Sequence, residues 1–304
     1  MKNFLLAVFF IFFAALQAFC AGDMELANIQ EINLSGVTDL RIIYSFEKVS
    51  VFTGTSSALV IKEYMTEIDK KYFAVINKYG NTVTIENGQA PIRPLFKNFN
   101  RHLEVFLPVS YKNLINIKTS SGYIELPDIV CSGLNLVSSS GNISANSITA
   151  DVIHIKTSSG GFQTGKILGN ADLITSSGNS DFGSVTGKLE AESSSGRINI
   201  DLINGSVSAR TASGNITCAA DPKAGNIKFD TASGIVRLKL PRSFQFNFSS
   251  RSASGILTAP FKDRLSNPVN DKDLTQGVIS AGGSGAIPSV DIRTVSGNIE
   301  IEMY

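Results

Sequence analysis

The sequence predicts an all-β fold, a β-solenoid with coils of about 18–21 residues and a less regular β cap at its N-terminal end. Three observations carry this. One phrase, apolar-x-apolar-x-Thr/Ser-x-Ser-Gly-x-apolar-x-apolar, is said nine times, ending at Gly122, Gly141, Gly160, Gly178, Gly196, Gly214, Gly234, Gly255 and Gly297. The spacings are 19, 19, 18, 18, 18, 20, 21 and 42, and a fixed period near 20 means stacked units that bury their apolar faces against one another. Before each glycine, apolar residues occupy alternate positions, as in Ile153, Ile155, Thr157 and Ser159, which is the period of a strand with one buried face.

The chain starts with an export-type leader, 1–20. Lys2 precedes an apolar run from Phe4 to Leu16, 13 residues, too short to span a bilayer. Ala18-Phe19-Cys20 offers small residues for cleavage before Ala21. The alternative reading makes Cys20 a lipid-anchored first residue. No other stretch is long and apolar enough to span a membrane as a helix.

Residues 21–28 read as a flexible start. Residues 29–115 are β-rich but lack the phrase, and read as opening coils that double as the cap. Strand-like runs are Leu40–Tyr44, Val49–Phe52, Leu59–Tyr64, Tyr72–Asn77, Thr82–Glu86 and Leu103–Leu107. Tyr79-Gly80-Asn81 has hairpin-turn chemistry, and Pro91 through Arg101 reads as a surface loop.

Residues 116–304 form the solenoid proper, with an insertion at about 260–288. After each glycine the alternation resumes one position out of step, as at Ile143 and Ala145, so each coil is two strands around a Ser-Gly corner plus a short return segment. The return carries glycines at Gly169, Gly187 and Gly205. The insertion reads as a loop or hairpin leaving the last corner, or as a binding loop. Its Asp263, Asp271 and Asp273 lack calcium-loop spacing. Pro108 and Pro241 belong at strand ends or corners.

Stacking turns recurring positions into ladders. The hydroxyls Thr119, Ser138, Thr157, Thr175, Ser193, Thr211, Thr231, Ser252 and Thr294 are expected to bond backbone groups in the corner. Four residues before the glycine, the column Glu192, Arg210, Asp230, Arg251 alternates in charge along the chain and predicts an exposed ladder of opposite charges.

Composition excludes several functions. Removing the leader takes away only Lys2, leaving 26 basic against 26 acidic residues, with no electrostatic case for nucleic acid. The two histidines, His102 and His154, supply no base for nine serines to act as nucleophiles. Cys131 and Cys218 lie five coils apart, roughly 24 Å, beyond disulfide reach. Two isolated thiols and two isolated histidines make no metal site. No catalytic, cofactor-binding or metal-ligating residue is expected.

The runs Lys118-Thr119-Ser120-Ser121-Gly122-Tyr123-Ile124, Thr175-Ser176-Ser177-Gly178-Asn179 and Thr294-Val295-Ser296-Gly297-Asn298-Ile299 resemble the repeats of the bacterial putative-adhesin domain of unknown function. That domain is similar to the head domains of putative autotransporter adhesins. Leu107-Pro108 matches an aliphatic-Pro step before the first repeat. The resemblance covers about residues 40 to 304. It implies a right-handed parallel β-helix at or near the cell surface and supplies no catalytic residues. Ser180, where an apolar residue is expected, and the final insertion depart from the pattern.

The expected role is an exported, non-enzymatic interaction module presenting a rigid face to an envelope protein or a glycan, in the periplasm or on the cell surface. Two alternatives stay open. A polysaccharide-acting enzyme would need clustered carboxylates, and the outward acids Glu125, Asp172, Glu190, Glu192 and Asp230 are scattered. An end-to-end assembling subunit would use exposed terminal strands.

Overall fold

The structure is a computed structural model and describes residues 24–91, 99–271, 273–279 and 287–304. The leader and Cys20 lie outside these. The described residues form one open sheet system of 23 strands with two short 3-10 turns and no α-helix. Alternating apolar residues put one face of nearly every strand inside, and the core runs as one continuous column from Ile32 to Ile301.

The repeat region supplies strands on both sides of each Ser-Gly corner. The opening block is β1 (Glu25–Ile32), β2 (Asp39–Ile43), β3 (Lys48–Gly54), β4 (Leu59–Met65), β5 (Val75–Tyr79), β6 (Thr82–Glu86) and β7 (Arg101–Pro108). Next come β8 (Leu114–Thr119), β9 (Ile124–Val130), β10 (Gly133–Ser138), β11 (Ile143–Thr157), β12 (Phe162–Thr175), β13 (Ser180–Ser193) and β14 (Ile198–Thr211). The remainder is β15 (Ile216–Ala220), β16 (Ile227–Thr231), β17 (Val236–Leu240), β18 (Phe246–Ser252), β19 (Leu257–Thr258), β20 (Ser266–Asn270), β21 (Leu274–Ile279), β22 (Ser289–Thr294) and β23 (Ile299–Met303).

Equivalent strands of successive repeats pair in parallel, and the register follows the sequence period. Ser138 lies opposite Thr119 and Thr157, Thr175 opposite Ser193, and Ser193 opposite Thr211. Along β12 the burial alternates, then two outward residues, Gly165 and Lys166, occur together before Ile167 turns in again. That break divides the post-glycine run into a strand and the return segment.

The corner is held by the predicted hydroxyls. Seven of the nine accept a hydrogen bond from the N–H of the corner glycine, for example Thr119 from Gly122 at 2.9 Å and Thr294 from Gly297 at 2.8 Å. Ser138 and Thr157 instead bury hydroxyls without a partner. Glycine is required by contact between coils: a Cβ on Gly214 would sit 2.0 Å from the Gly196 carbonyl oxygen. At the return corner, Gly169, Gly187 and Gly205 have φ of 132°, 122° and 150°, a region side chains avoid. Ser180 is fully buried between register partners Phe162 and Ile198. Phe162, opposite Ser180, and Phe182, two residues beyond it, bring their rings to 5.3 Å from each other.

Order along the sequence and order in space part company at both ends. β22, the strand before the glycine of the last phrase, pairs with β16 on one side and β18 on the other. β23 likewise sits between β17 and β19. The Gly297 coil is therefore inserted between the Gly234 and Gly255 coils, and the Gly255 coil is outermost. The 42-residue interval is an insertion, and the chain leaves the stack and returns one level inward. The predicted charge ladder is corrected accordingly. Glu192–Arg210 and Arg210–Asp230 are neighbours with N···O distances of 3.9 and 3.7 Å. Asp230, however, lies opposite Arg293, and Arg251 lies opposite Arg293, a like charge.

The N-terminal end repeats the arrangement. β2 lies between β6 and β8, and β3 between β7 and β9. Leu40, Ile42 and Tyr44, then Val49 and Val51, are a tenth coil whose corner reads Ser45-Phe46-Glu47. The expected turn at Gly80 joins β5 to β6 in an antiparallel pair, with Gly80 at φ 58°. The chain is ordered earlier than the 21–28 start segment implies, since β1 begins at Glu25 and pairs antiparallel with β4.

Antiparallel strands cover both stack ends, limiting bare parallel edges. At the N-terminal end β4 covers β7 and β1 covers β4. At the C-terminal end the insertion forms the hairpin β20–β21, and β21 pairs with β18. Phe246, Phe248 and Phe261 close the core beneath it, with ring centroids 5.1 Å apart from Phe261 to each of the others.

Candidate functional site

The surface that the repeat builds most regularly is the Ser-Gly corner. The serines before the glycines, such as Ser140, Ser159, Ser177 and Ser195, are exposed, in a row that rises one coil at a time. The residue after the glycine forms a second row. In spatial order it reads Tyr123, Asn142, Gly161, Asn179, Arg197, Asn215, Ile235, Asn298, Ile256. Asparagine occupies alternate coils from Asn142 on. Each asparagine Oδ1 accepts from the backbone N–H of the next coil: Gly161 at 2.8 Å, Arg197 at 3.0 Å, Ile235 at 2.8 Å and Ile256 at 3.0 Å. This fixes the amides as a polar spine.

A groove of about 520 Å³ opens on this corner between the Gly122 and Gly178 coils. Gly161 lines it midway along the corner. Asn142 and Asn179 flank it, Tyr123 stands at one end with its side chain about half exposed, and Asp181 closes the other, paired with Arg197 at 2.8 Å. A second recess of about 580 Å³ lies at the return corner, beside Asn170, Lys188, Asn204 and Lys228. Its lysines are engaged, Lys188 with Glu190 and Lys228 with Asp230.

The outward acids weighed for hydrolysis are each taken up by a base or imidazole. Glu125 pairs with Lys48 at 2.7 Å and Asp172 with His154 at 3.3 Å; Glu190 pairs with Lys188, and Glu192 and Asp230 flank Arg210. The structure does bring two of them together, since Asp172 and Glu190 are register partners on adjacent coils. Neither lines a described recess. Cys131 and Cys218 are free and buried, and burial raises the Cys131 thiol to about 11 and the Cys218 thiol further. Asp263 and Asp271 are exposed beside the end hairpin, and the Asp273 carbonyl accepts from Ser252 N–H. Among the described residues, no group of three or more His, Cys, Asp or Glu is placed to hold a metal ion. None of their helices is long and apolar enough to cross a membrane.

Sequence reasoning missed a buried polar cluster under the N-terminal cap. Arg101, read as the end of a surface loop, is buried and ion-pairs with Glu47; residues 92–98 of that loop lie outside the described residues. Glu47 also accepts from the N–H groups of Ser45 and Phe46 at 3.0 and 2.9 Å. Arg101 lies over the rings of Tyr44 and Phe99, 5.5 Å from each centroid. Fully buried Glu63 accepts from Tyr44 Oη at 3.2 Å, Ala74 N–H at 2.8 Å and Asn28 Nδ2 at 2.9 Å. Burial first, then the Glu63 charge, pushes the Tyr44 hydroxyl well above its ordinary range. The cluster ties five segments of the cap together, at Asn28, Tyr44–Glu47, Glu63, Ala74 and Phe99–Arg101. Its sequence signal was Tyr44-Ser45-Phe46-Glu47 standing where other coils carry Thr-x-Ser-Gly.

The family model Toastrack DUF4097 matches residues 37–302. No curated protein matches the chain. Among solved structures, a putative cell adhesion protein of Clostridium sporogenes is 11% identical, with 93% of this chain and 100% of that chain covered and a TM-score of 0.30. A putative adhesin of Bacteroides fragilis is 14% identical, covering 72% of this chain and 98% of its own, TM-score 0.45. One from Parabacteroides distasonis is 18% identical, covering 71% and 98%, TM-score 0.45.

Proposed function

The chain belongs to the Toastrack DUF4097 family, and from that premise we propose that it is an exported, non-enzymatic interaction module. Its coils wind as a right-handed parallel β-helix and hold the Ser-Gly corner as a rigid face for a partner, an envelope protein or a glycan. The observation that carries this reading is the asparagine spine: side chains spent on locking the corner's outer row make that row a stiff, repeating polar surface. Preorganised surfaces lose little entropy on binding. The engagement of the outward acids by neighbouring basic or imidazole side chains supports a role without hydrolysis. The apolar run Phe4 to Leu16 supports export, to the periplasm or the cell surface.

Protease treatment of cells, followed with an antibody to residues 24–304, tests export. Digestion on intact cells gives a surface protein and an adhesion-type role. Digestion only after the outer envelope is opened gives a periplasmic protein with an envelope partner. Protection until the cells are lysed refutes export and the proposal with it.

A further inference from the structure

We propose that the groove over Gly161 is a binding site for a neutral glycan, one or two sugar residues of which sit between Asn142 and Asn179. The inference rests on the reading of this corner as the contact face, and it names the ligand.

One glycine of this corner is not needed by the backbone. The corner glycines have no room for a side chain, as Gly160 illustrates, where a Cβ would meet the Gly141 carbonyl oxygen at 2.1 Å. Gly161 is different. A Cβ there would have the Asn179 carbonyl oxygen at 3.3 Å and Asn142 Oδ1 at 3.6 Å as its nearest neighbours, and its φ is not in the left-handed region. In every other phrase-bearing coil this position carries a side chain. The missing side chain opens the groove of about 520 Å³, within the usual range for small-ligand sites.

The groove's chemistry selects the ligand. Asn142 and Asn179 spend their carbonyl oxygens on backbone N–H groups of the next coils, at 2.8 and 3.0 Å. Their NH₂ groups are thereby oriented and have no described partner, so each can donate outward. They stand two coils apart, roughly 10 Å at the interstrand spacing. Ser159 and Ser177 add hydroxyls and Gln163 an amide along the same groove. The single charged lining group, Asp181, is neutralised by Arg197 at 2.8 Å. The Tyr123 ring, half exposed at the end, offers a face for the C–H side of a sugar ring. Fixed amide donors, hydroxyls, an aromatic face and no net charge suit an uncharged polyhydroxylated ligand. They do not suit a nucleotide or an acidic peptide, which would call for unpaired cations.

The test uses Gly161→Asn, which restores the side chain that Asn142 and Asn179 carry one coil away on either side. Its side chain enters the groove, and its Cβ, 3.3 Å from the Asn179 carbonyl oxygen, asks that neighbour to give by only a few tenths of an ångström. Purified full-length chain and the variant are titrated with millimolar cellotriose, maltotriose, chitotriose and mannotriose, read by saturation-transfer and ¹⁵N shift changes. The expected result is binding of at least one trisaccharide, with shifts at Asn142, Gly161 and Asn179. Gly161→Asn should weaken it at least tenfold while leaving the unfolding midpoint unchanged. No binding by any of the four, shifts elsewhere, or equal binding by the variant overturns the site. Cleavage of a bound probe leaves the site standing and removes the non-enzymatic half of the proposed function. Binding at the groove by a protein that intact-cell and opened-cell proteolysis both fail to reach leaves the site standing and removes export.

Discussion

The inserted Gly297 coil can be tested with a disulfide. Lys228, Asp291 and Ser249 occupy the same outward column, in that spatial order, with Lys228 opposite Asp291 and Asp291 opposite Ser249. Adjacent coils place such residues about 4.8 Å apart, inside the Cα separation a disulfide accepts, and two coils place them roughly 9.6 Å apart, outside it. Lys228→Cys with Asp291→Cys should therefore close under mild oxidation, and Lys228→Cys with Ser249→Cys should not. If the coils were stacked in chain order, the outcome would be reversed.

The size of the effect follows from the loop enclosed. Linking 228 to 291 closes about 64 residues, which on chain entropy alone stabilises by about 4 kcal/mol. The measurements are non-reducing electrophoresis with peptide mapping, then urea unfolding with and without reductant. In a chain that starts at residue 24, and so lacks Cys20, the native thiols do not interfere, because Cys131 and Cys218 are buried and burial holds both in the protonated form at neutral pH. Ready closure of the 228–249 pair, with the 228–291 pair remaining open, would refute the spatial order.

Three further outcomes are expected. Gly214→Ala should destabilise by about 3 kcal/mol or more, because its Cβ would lie 2.0 Å from a carbonyl oxygen, whereas Gly161→Ala should stay within about 0.5 kcal/mol in the same urea titration. Arg101→Met should cost about 3–5 kcal/mol by stranding buried Glu47, and adding Glu47→Leu should recover part of that loss; a neutral single substitution would show the pair is not desolvated. His102, beside the Tyr64 ring, Glu104, Lys48 and Glu125, is held near a pKa of about 4, chiefly by burial and then by the Lys48 charge. It stays neutral in the folded chain while the unfolded chain takes up a proton below its ordinary 6.5. Stability should thus fall by roughly 3 kcal/mol as pH drops from 6.5 to 4, and His102→Gln should flatten that part of the urea-midpoint profile.

Much of this fold is legible in the sequence because a repeat converts period into register. The 18- and 19-residue spacings became Ser138 opposite Thr157 and Thr175 opposite Ser193, and the Thr/Ser three residues before the glycine became the corner acceptor in seven of the nine coils. The tenth coil was hidden because it departs from the phrase at the positions that define it. Tyr44 stands in the hydroxyl column and Glu47 at the glycine, and both are explained only by Arg101 and Glu63, which are distant in sequence and reached by tertiary packing. The groove was equally silent, since a glycine following a glycine, Gly160-Gly161, shows no recess until the neighbours on both coils are in place.

Coil order was the largest miss, and the sequence did hold a signal for it. The phrase makes every coil compatible with every other, so the charge column alone could not order them. The residue after the glycine can. From Asn142 onward an asparagine coil alternates with one that lacks it, and each asparagine Oδ1 serves the N–H of the coil above. In chain order the last three would be Ile235, Ile256, Asn298, placing two isoleucine coils together and leaving the Ile256 N–H without its acceptor. Inserting the Gly297 coil restores the alternation, and Asn298 accepts from Ile256 at 3.0 Å. One such bond contributes only about 1 kcal/mol. Its weight lies in choice, because the competing order keeps the same apolar columns in line and differs in which polar groups are matched.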